Sequence, residues 1–267
     1  MAGATFVNSC IPPSVSRILP ESELYGPDPY DVNWAFPINL DVLSTDEVFL
    51  TPFVPRLHAD AYWEQVGRHP EFFKYYPFLH PTLPGFLAFL ETRFRQNPEY
   101  IMFAIVDRTR ADAARPQLRG RLAGVMGFFS ASRADLSVEI AHVLVFPEWR
   151  GTGVGARAAA LLTRFCLQLP TASPPGLGLR RVQWVADSDN KPSIGLARRL
   201  GMTEEAHLRW HRVLPEGLPG KAPREGDAHP SGNSRDSVIL SICCDEWEEG
   251  GRDNMQALIE KPLKIRN

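Results

Sequence analysis

The sequence has few cysteines and no long hydrophobic run, and these two absences exclude several classes of protein. Its four cysteines, Cys10, Cys166, Cys243 and Cys244, follow no C-x-x-C or other metal-ligand spacing, so we expect no metal site and a reduced, cytoplasmic compartment. No window approaches the ~18 uninterrupted apolar residues that cross a bilayer, and residues 1–20 lack a basic segment followed by an apolar stretch. We therefore expect a soluble, unprocessed protein that does not associate with membranes.

Charge of one sign is not in excess either. The chain has 29 basic and 31 acidic residues, which gives a formal net charge of −2 over 267 residues. Proteins that bind nucleic acid concentrate basic side chains to neutralise phosphates, so we expect no nucleic-acid partner. With 44% hydrophobic residues, the chain is apolar enough to bury a substantial core.

The two common nucleotide-binding motifs, G-x-G-x-x-G and G-x-x-x-x-G-K-[ST], are also absent, although the chain contains a glycine-rich turn. This turn, "RGTGVG" at 150–155, directly precedes a run that favours a helix, where each glycine costs roughly 0.5–1 kcal/mol relative to alanine. The backbone N–H groups of a helix start bind anions, and small residues let a diphosphate approach them closely. Arg150 can add a charge-assisted hydrogen bond. The alternative is a tight turn in which the glycines are incidental.

The hydrophobic pattern predicts one α/β domain with a single mixed, mostly antiparallel sheet flanked by helices. Short turns between strand-like runs favour antiparallel neighbours, and the later helices provide crossovers. We expect a proline-rich, irregular arm over 1–44 that docks through its aromatic residues, a domain over 45–250 and a tail over 251–267. Within the domain, 215–235 is a low-complexity loop insertion that we expect to be mobile. The predicted strands are 48–53, 99–108, 121–133, 137–146, 180–187, 203–214 and 236–244, and the predicted helices are 56–69, 83–96, about 154–169 and 190–201.

A strand ending V-x-V-x-P, with Val143, Val145 and Pro147, leads into the R-G-x-G-x-G turn. Here the sequence resembles the GNAT superfamily of acetyl-CoA-dependent N-acetyltransferases, over about residues 46–249. The resemblance implies a GNAT-like fold in which this strand splays from its neighbour, so that Val143 and Val145 contact the pantetheine arm through their main chains. It also implies that the turn holds the coenzyme A pyrophosphate, through Arg150, Gly151, Thr152, Gly153, Val154, Gly155 and Ala156.

A second segment, "NKPSIGLARRLGM", resembles the N-x-x-S helix of the same superfamily. The likeness places Asn190 near the thioester or pantetheine and Ser193 one turn along on the same face. Within the superfamily, the chain looks most like the branch of ribosomal-protein and small-amine acetyltransferases. One departure is Ala197, where many members carry a tyrosine that can protonate the leaving thiolate, so the acid is unassigned.

Two side chains on the strand "SVEIAHVLVF" are candidates for taking the proton of the acceptor amine. Glu139 and His142 are three residues apart, so strict alternation puts them on opposite faces unless a bulge intervenes. Histidine has the more suitable intrinsic pKa, whereas a glutamate needs burial to raise its pKa. The structural alternatives are a sheet-edge carboxylate and a core imidazole. Asp187 and Asp189 follow the next strand and are further candidates for facing the acceptor site, but for Asp189 a helix cap is the simpler explanation.

A third group of side chains is predicted to contact the acceptor. Arg209 and His211 share one face of a predicted strand, where they either line an acceptor pocket or lie on a solvated face. We expect an enzyme, monomeric or homodimeric, that transfers acetyl from acetyl-CoA to an amine of a small molecule or a protein N-terminus by direct attack in a ternary complex. The alternatives are a silent acyl-CoA-binding module and transfer to a hydroxyl or of a longer acyl group.

Overall fold

The computed structural model describes residues 19–264 and shows an open seven-stranded sheet with the order β1-β2-β3-β4-β5-β7-β6. All neighbouring strands are antiparallel except β4 and β5, which are parallel. This arrangement confirms the predicted α/β fold with one mixed sheet. The strands are β1 (Val48–Pro52), β2 (Ile101–Asp107), β3 (Arg121–Ser132), β4 (Ser137–Val145), β5 (Arg181–Asp187), β6 (Thr203–Val213) and β7 (Ser234–Cys243).

Helices cover both faces of the sheet. Within 19–264, none of them is long and apolar enough to cross a bilayer. The main helices are α1 (Pro55–Val66), α2 (Leu83–Phe89, extended by a π-helical turn over Leu90–Arg95), α3 (Val154–Leu167), α4 (Lys191–Arg199) and α5 (Arg252–Glu260).

Burial along the strands follows their position in the sheet. Every residue of β2, from Ile101 to Asp107, is buried, as expected for a strand covered on both faces. The edge strand β6 is largely exposed. On α3, a nearly continuous set of apolar residues is buried against the sheet, which explains why this helix has an apolar composition all round.

The strands β4 and β5 separate after a short paired stretch. Their pairing runs only from Ser137 with Arg181 to Ile140 with Trp184. The second half of β4 continues beside β3 alone, where Val145 pairs with Gly124. A gap therefore opens between the C-terminal halves of two parallel strands, at the edge where α/β proteins bind ligands.

The described part of the arm, 19–44, is irregular and contacts the domain through aromatic side chains. Trp34 stacks on Phe128 with ring centroids 5.6 Å apart. The hydroxyl of Tyr30 donates a hydrogen bond to the carboxylate of Glu91 at 3.1 Å. Residues 1–18 of the arm lie outside the described residues.

The segment assigned to a C-terminal tail contains a helix. Its residues Met255 and Ile259 are buried, and Arg164 of α3 donates a hydrogen bond to the Gln256 side chain at 3.3 Å. Helix α5 thus packs along α3, and the chain continues to Lys264 beside the glycine-rich turn, where the Lys264 N–H donates to the Thr152 carbonyl at 2.8 Å. Residues 265–267 lie outside the described residues.

The loop between β6 and β7 spans 214–233 and is held by its own hydrogen bonds. Lys221 forms an antiparallel bridge with Ser234, and the Asn233 side-chain amide donates to the Leu218 carbonyl at 2.9 Å. Strand β7 starts at Ser234, two residues before its predicted start. Arg235 consequently belongs to the sheet and not to the loop.

We predict that Gly124→Ala lowers the free energy of unfolding by about 1–3 kcal/mol, because a methyl group there would overlap the Leu144 backbone carbonyl of the facing strand. Chemical denaturation measures the effect. The control is Gly195→Ala on α4, where an added Cβ meets nothing within 4 Å and a gain of about 0.5–1 kcal/mol is expected. Equal stabilities for the two variants would contradict this account of the β3–β4 contact.

Candidate active site

A cleft of about 1070 Å³ lies at the gap between β4 and β5. One wall consists of β4 from Glu139 to Val143, and the opposite wall consists of β5 from Trp184 to Asp187 with the start of α4. The segment 75–81 and α2 cover the cleft with aromatic rings, and Arg212 and Arg235 lie in its lining.

A β-bulge brings both proton-transfer candidates to this cleft. Val125 pairs with Leu144, and Gly127 pairs with Ala141, so one residue of β3 faces two residues of β4. His142 lies within the bulge and has a φ of +49°. Glu139 and His142 therefore both line the cleft, although regular alternation would separate them.

The environment of Glu139 suits proton transfer near neutral pH. Burial raises the pKa of its carboxyl to about 7, against the opposing effects of the Gln183 amide and of Arg212 and Arg235. That amide donates to the Glu139 carboxylate at 3.4 Å. At neutral pH the group is thus close to half ionised, which is the condition for an efficient general base.

The environment of His142 favours a structural contribution. Its side chain is 4% exposed, and its ring lies parallel to that of Phe78 with centroids 5.2 Å apart. Burial, assisted by His80, lowers the pKa of His142 to about 3. The imidazole is therefore neutral at pH 7 and a weak proton acceptor, so Glu139 is the better base of the two.

Each of the three glycines in the turn has a local structural reason. Gly151 and Gly153 have φ values of +77° and +104°, which residues with a Cβ adopt only with strain. A Cβ on Gly155 would lie 2.8 Å from a methyl group of Val145, so this glycine lets α3 start against the end of β4. Each glycine therefore meets a backbone or packing requirement of the turn itself.

The main-chain carbonyls of β4 that face the gap accept hydrogen bonds from side chains. The Tyr76 hydroxyl donates to the Val143 carbonyl at 2.6 Å. The Arg150 guanidinium donates to the Val145 carbonyl at 3.1 Å and lies 5.1 Å from the centre of the Phe72 ring. Both carbonyls are thus accessible to donors that come from outside the sheet.

The start of α4 presents two polar side chains to the cleft. The Asn190 side chain caps the helix by accepting from the Ser193 N–H at 3.2 Å, and the Ser193 hydroxyl accepts from the Trp184 indole at 2.9 Å. The cap is therefore Asn190 and not Asp189, which corrects the simpler sequence-based choice. Ala197, on the same helix, is fully buried in the core.

The structure places Arg209 and His211 outside this cleft. They lie with Trp210 around a shallow surface depression on β6. The strand is irregular between Leu208 and Arg212, and Trp210 has a φ of +56°. This irregularity breaks the alternation on which the prediction depended and brings Arg212 to the cleft instead.

The sequence alone assigned no role to Arg235, His80 or Tyr76. Arg235 fell inside the predicted loop. His80 lines the cleft, where burial lowers its pKa to about 4. The run "FFKYYPFLH" was the available signal for Tyr76 and His80, because so many aromatic residues between two helices indicate a packed segment.

We predict that Gly153→Val lowers the free energy of unfolding by about 1–3 kcal/mol without any cofactor, because valine is strained at this φ. Its Cβ would also lie 3.3 Å from the Leu263 side chain. Chemical denaturation of Gly153→Val and of the double variant Gly153→Val/Leu263→Ala measures the effect. The double variant should regain only the stability lost through the contact with Leu263, and the loss from backbone strain should remain. A valine variant as stable as the parent would contradict the strain.

A family model described as an acetyltransferase (GNAT) domain matches residues 47–203, which is more than half of the chain. Among curated proteins, no sequence matches. The fold is similar to solved acetyltransferase structures, each with low sequence identity.

Three of these structures illustrate the likeness. A GCN5-related N-acetyltransferase from Brucella melitensis is 20% identical, with a TM-score of 0.61 over 80% of this chain and 84% of its own. Mycobacterium smegmatis RimJ in complex with CoA-disulfide is 18% identical, with a TM-score of 0.57 over 81% and 91%. Spermidine N-acetyltransferase from Vibrio cholerae in complex with CoA and spermine is 14% identical, with a TM-score of 0.55 over 76% and 99%. At this level of identity the structures establish a shared fold, and the matched domain together with that fold shows that the chain belongs to the GNAT acetyltransferase family.

Proposed function

We propose that this protein transfers an acetyl group from acetyl-CoA to an amine, by direct attack in a ternary complex. The observation that carries the proposal is Glu139, a carboxyl with a pKa raised to about 7 by burial, at the point where β4 and β5 separate. A proton acceptor in that position meets both the family's chemistry and the need for an unprotonated amine.

The cofactor site is proposed along β4 and the turn that follows it. The pyrophosphate binds the helix start and the turn, Arg150 to Ala156, since the first-turn N–H groups have no partner within their helix. The pantetheine arm follows the Val143 and Val145 carbonyls. There it replaces the Tyr76 and Arg150 side chains as the hydrogen-bond donor to these carbonyls. Asn190 and Ser193 line the cleft, which supports the proposal that they lie beside the thioester end. In the similar structures, RimJ is in complex with CoA-disulfide and spermidine N-acetyltransferase is in complex with CoA and spermine.

The chain's own residues orient the amine and take its proton. Acetyl-CoA, when bound, supplies the thioester whose acetyl group moves to nitrogen while the thiolate leaves. Glu139 accepts a proton from the acceptor amine, directly or through a water molecule, and so exposes the nitrogen lone pair. A thiol is a stronger acid than an alkylammonium group, so release of the thiolate does not require an acid at Ala197.

One observation favours a second candidate function, a silent acyl-CoA-binding module. Ala197 is buried and offers no hydroxyl, whereas many family members have a tyrosine there. A thiol-release assay with acetyl-CoA and a panel of amines, peptides and alcohols separates the two. Tight binding of acetyl-CoA without turnover of any acceptor would favour the silent module.

We predict that kcat/KM rises with pH through about 7, because Glu139 accepts a proton only when ionised. Glu139→Gln should lower kcat/KM by about 10²- to 10⁴-fold and remove this inflection. The control is His142→Asn, since asparagine tolerates the positive φ at this position, and it should keep the inflection. An unchanged pH profile in Glu139→Gln would remove the carboxylate from the mechanism.

We predict that Arg150→Ala weakens coenzyme A binding by about tenfold or more, since a hydrogen bond to a charged group contributes about 1.5–3 kcal/mol. Pantetheine, which lacks the diphosphate, should lose less affinity. Calorimetry with both ligands measures the difference. Arg133→Ala, an exposed arginine in the turn at the far end of β4, is the control. Equal losses for both ligands would place Arg150 away from the diphosphate.

A further inference from the structure

The charged side chains that line the cleft are more often basic than acidic, which is unusual for a site that binds a cationic amine. Three arginines, Arg93, Arg212 and Arg235, line the cleft, whereas Glu139 and Asp187 are its only carboxylates among the described residues. The two histidines in the lining are neutral, because burial lowers the pKa of both. The cleft therefore has more positive than negative groups, which disfavours a polyamine and favours an acceptor with an anion.

Two of these arginines face each other directly. Arg212 of β6 and Arg235 of β7 are paired in the register of the two strands, an arrangement that repulsion between like charges disfavours. Arg212 makes no ion pair with a described residue. Among the described residues, Arg235 forms one ion pair, with Asp187 at 3.8 Å between nitrogen and oxygen, and Glu139 also acts on it electrostatically. Of these two paired arginines, only Arg235 therefore has an ion-pair partner among the described residues, and that partner is at the limit of ion-pair distance.

The third observation is an unpartnered buried N–H group. Arg235 is 9% exposed. Its guanidinium donates to the Tyr75 carbonyl, but its Nε has no hydrogen-bond partner within residues 19–264. An unsatisfied donor on a buried charged group costs free energy that an anionic ligand recovers. Arg93 differs, because it is occupied by the Tyr100 hydroxyl at 3.1 Å and by the face of that ring.

We propose that the acceptor is an amine that also carries a carboxylate, held by Arg212 and Arg235 while its amino group faces Glu139. The proposal rests on the proposed N-acetyl transfer. Both arginines act electrostatically on Glu139, and all three residues line the same cleft. A planar guanidinium binds a carboxylate through paired hydrogen bonds.

The remaining surface of the cleft indicates the body of this acceptor. Phe78, Phe89, Tyr100 and Phe129 line it, and Phe78 and Phe89 are 5.2 Å apart between ring centroids. Aromatic walls of this kind favour an apolar or aromatic side chain. The substrate class is therefore an amino acid, or a similar small molecule, with an apolar side chain.

A panel of matched amines tests the substrate class. L-Phenylalanine, L-phenylalaninamide and phenethylamine share the aromatic body, and only the first has a carboxylate. We expect kcat/KM at least tenfold higher for L-phenylalanine than for the other two, and no turnover of spermidine. Equal values for the three aromatic amines, or a preference for spermidine, would overturn the proposal.

Variants identify the groups that bind the carboxylate. Arg212→Gln should raise the KM for L-phenylalanine at least tenfold and leave the KM for phenethylamine and for acetyl-CoA unchanged. Arg209→Gln is the matched comparison, because it removes the same charge from the same strand outside the cleft, and it should keep the preference. If Arg212→Gln instead weakens acetyl-CoA, the arginine belongs to the cofactor site and the proposal is wrong.

A binding measurement separates this proposal from the proposed reaction. Calorimetry compares N-acetyl-L-phenylalanine with N-acetylphenethylamine on protein saturated with coenzyme A. At least tenfold tighter binding of the product with the carboxylate, and loss of this preference in Arg212→Gln, would support the carboxylate site. If no amine is acetylated in that case, only the proposed reaction is wrong. Equal binding of the two products overturns the site even if acetylation of phenethylamine is observed.

Discussion

The position of the cleft is set by the place where the pairing between β4 and β5 ends. Parallel pairing stops at Ile140 and Trp184, and the bulge at His142 follows two residues later. The cleft therefore starts beside Glu139, which is still in the paired stretch and lies half-buried in the cleft lining. One separation of two strands thus provides both the cavity and the raised pKa of its carboxyl.

The glycine-rich turn is fixed relative to this gap by contacts on both sides. Gly155 lies against Val145 at the end of β4, and Lys264 after α5 bonds the Thr152 carbonyl at 2.8 Å. Arg157 in the first turns of α3 donates to the Lys261 carbonyl and to Glu47. The chain beyond the matched domain therefore supports the proposed phosphate site, because the positive φ values of the turn persist only where the surroundings hold them.

Features that depend on local sequence patterns could be predicted from the sequence. Features that depend on how strands pair could not. Strand and helix order follows from hydrophobic periodicity, and the glycine-rich turn is a local motif. Whether Glu139 and His142 share a cavity depends on a bulge opposite β3, which periodicity does not show. The same limit explains why Arg209 was wrongly predicted to line the acceptor pocket. The strand is irregular around Trp210, and Arg212 lines the cleft instead. Arg235 was missed because its segment has a loop-like composition, and its burial results from contacts with Tyr75 and Asp187.

A crystal structure of the complex with coenzyme A would show directly whether the cofactor binds in the gap between β4 and β5. We predict that pantetheine passes through the gap between β4 and β5, that the diphosphate lies on the N–H groups at the start of α3, and that the sulfur ends within reach of an amine beside Glu139. A complex in which β4 and β5 stay covered by the Tyr76 segment while the diphosphate binds elsewhere would contradict the account.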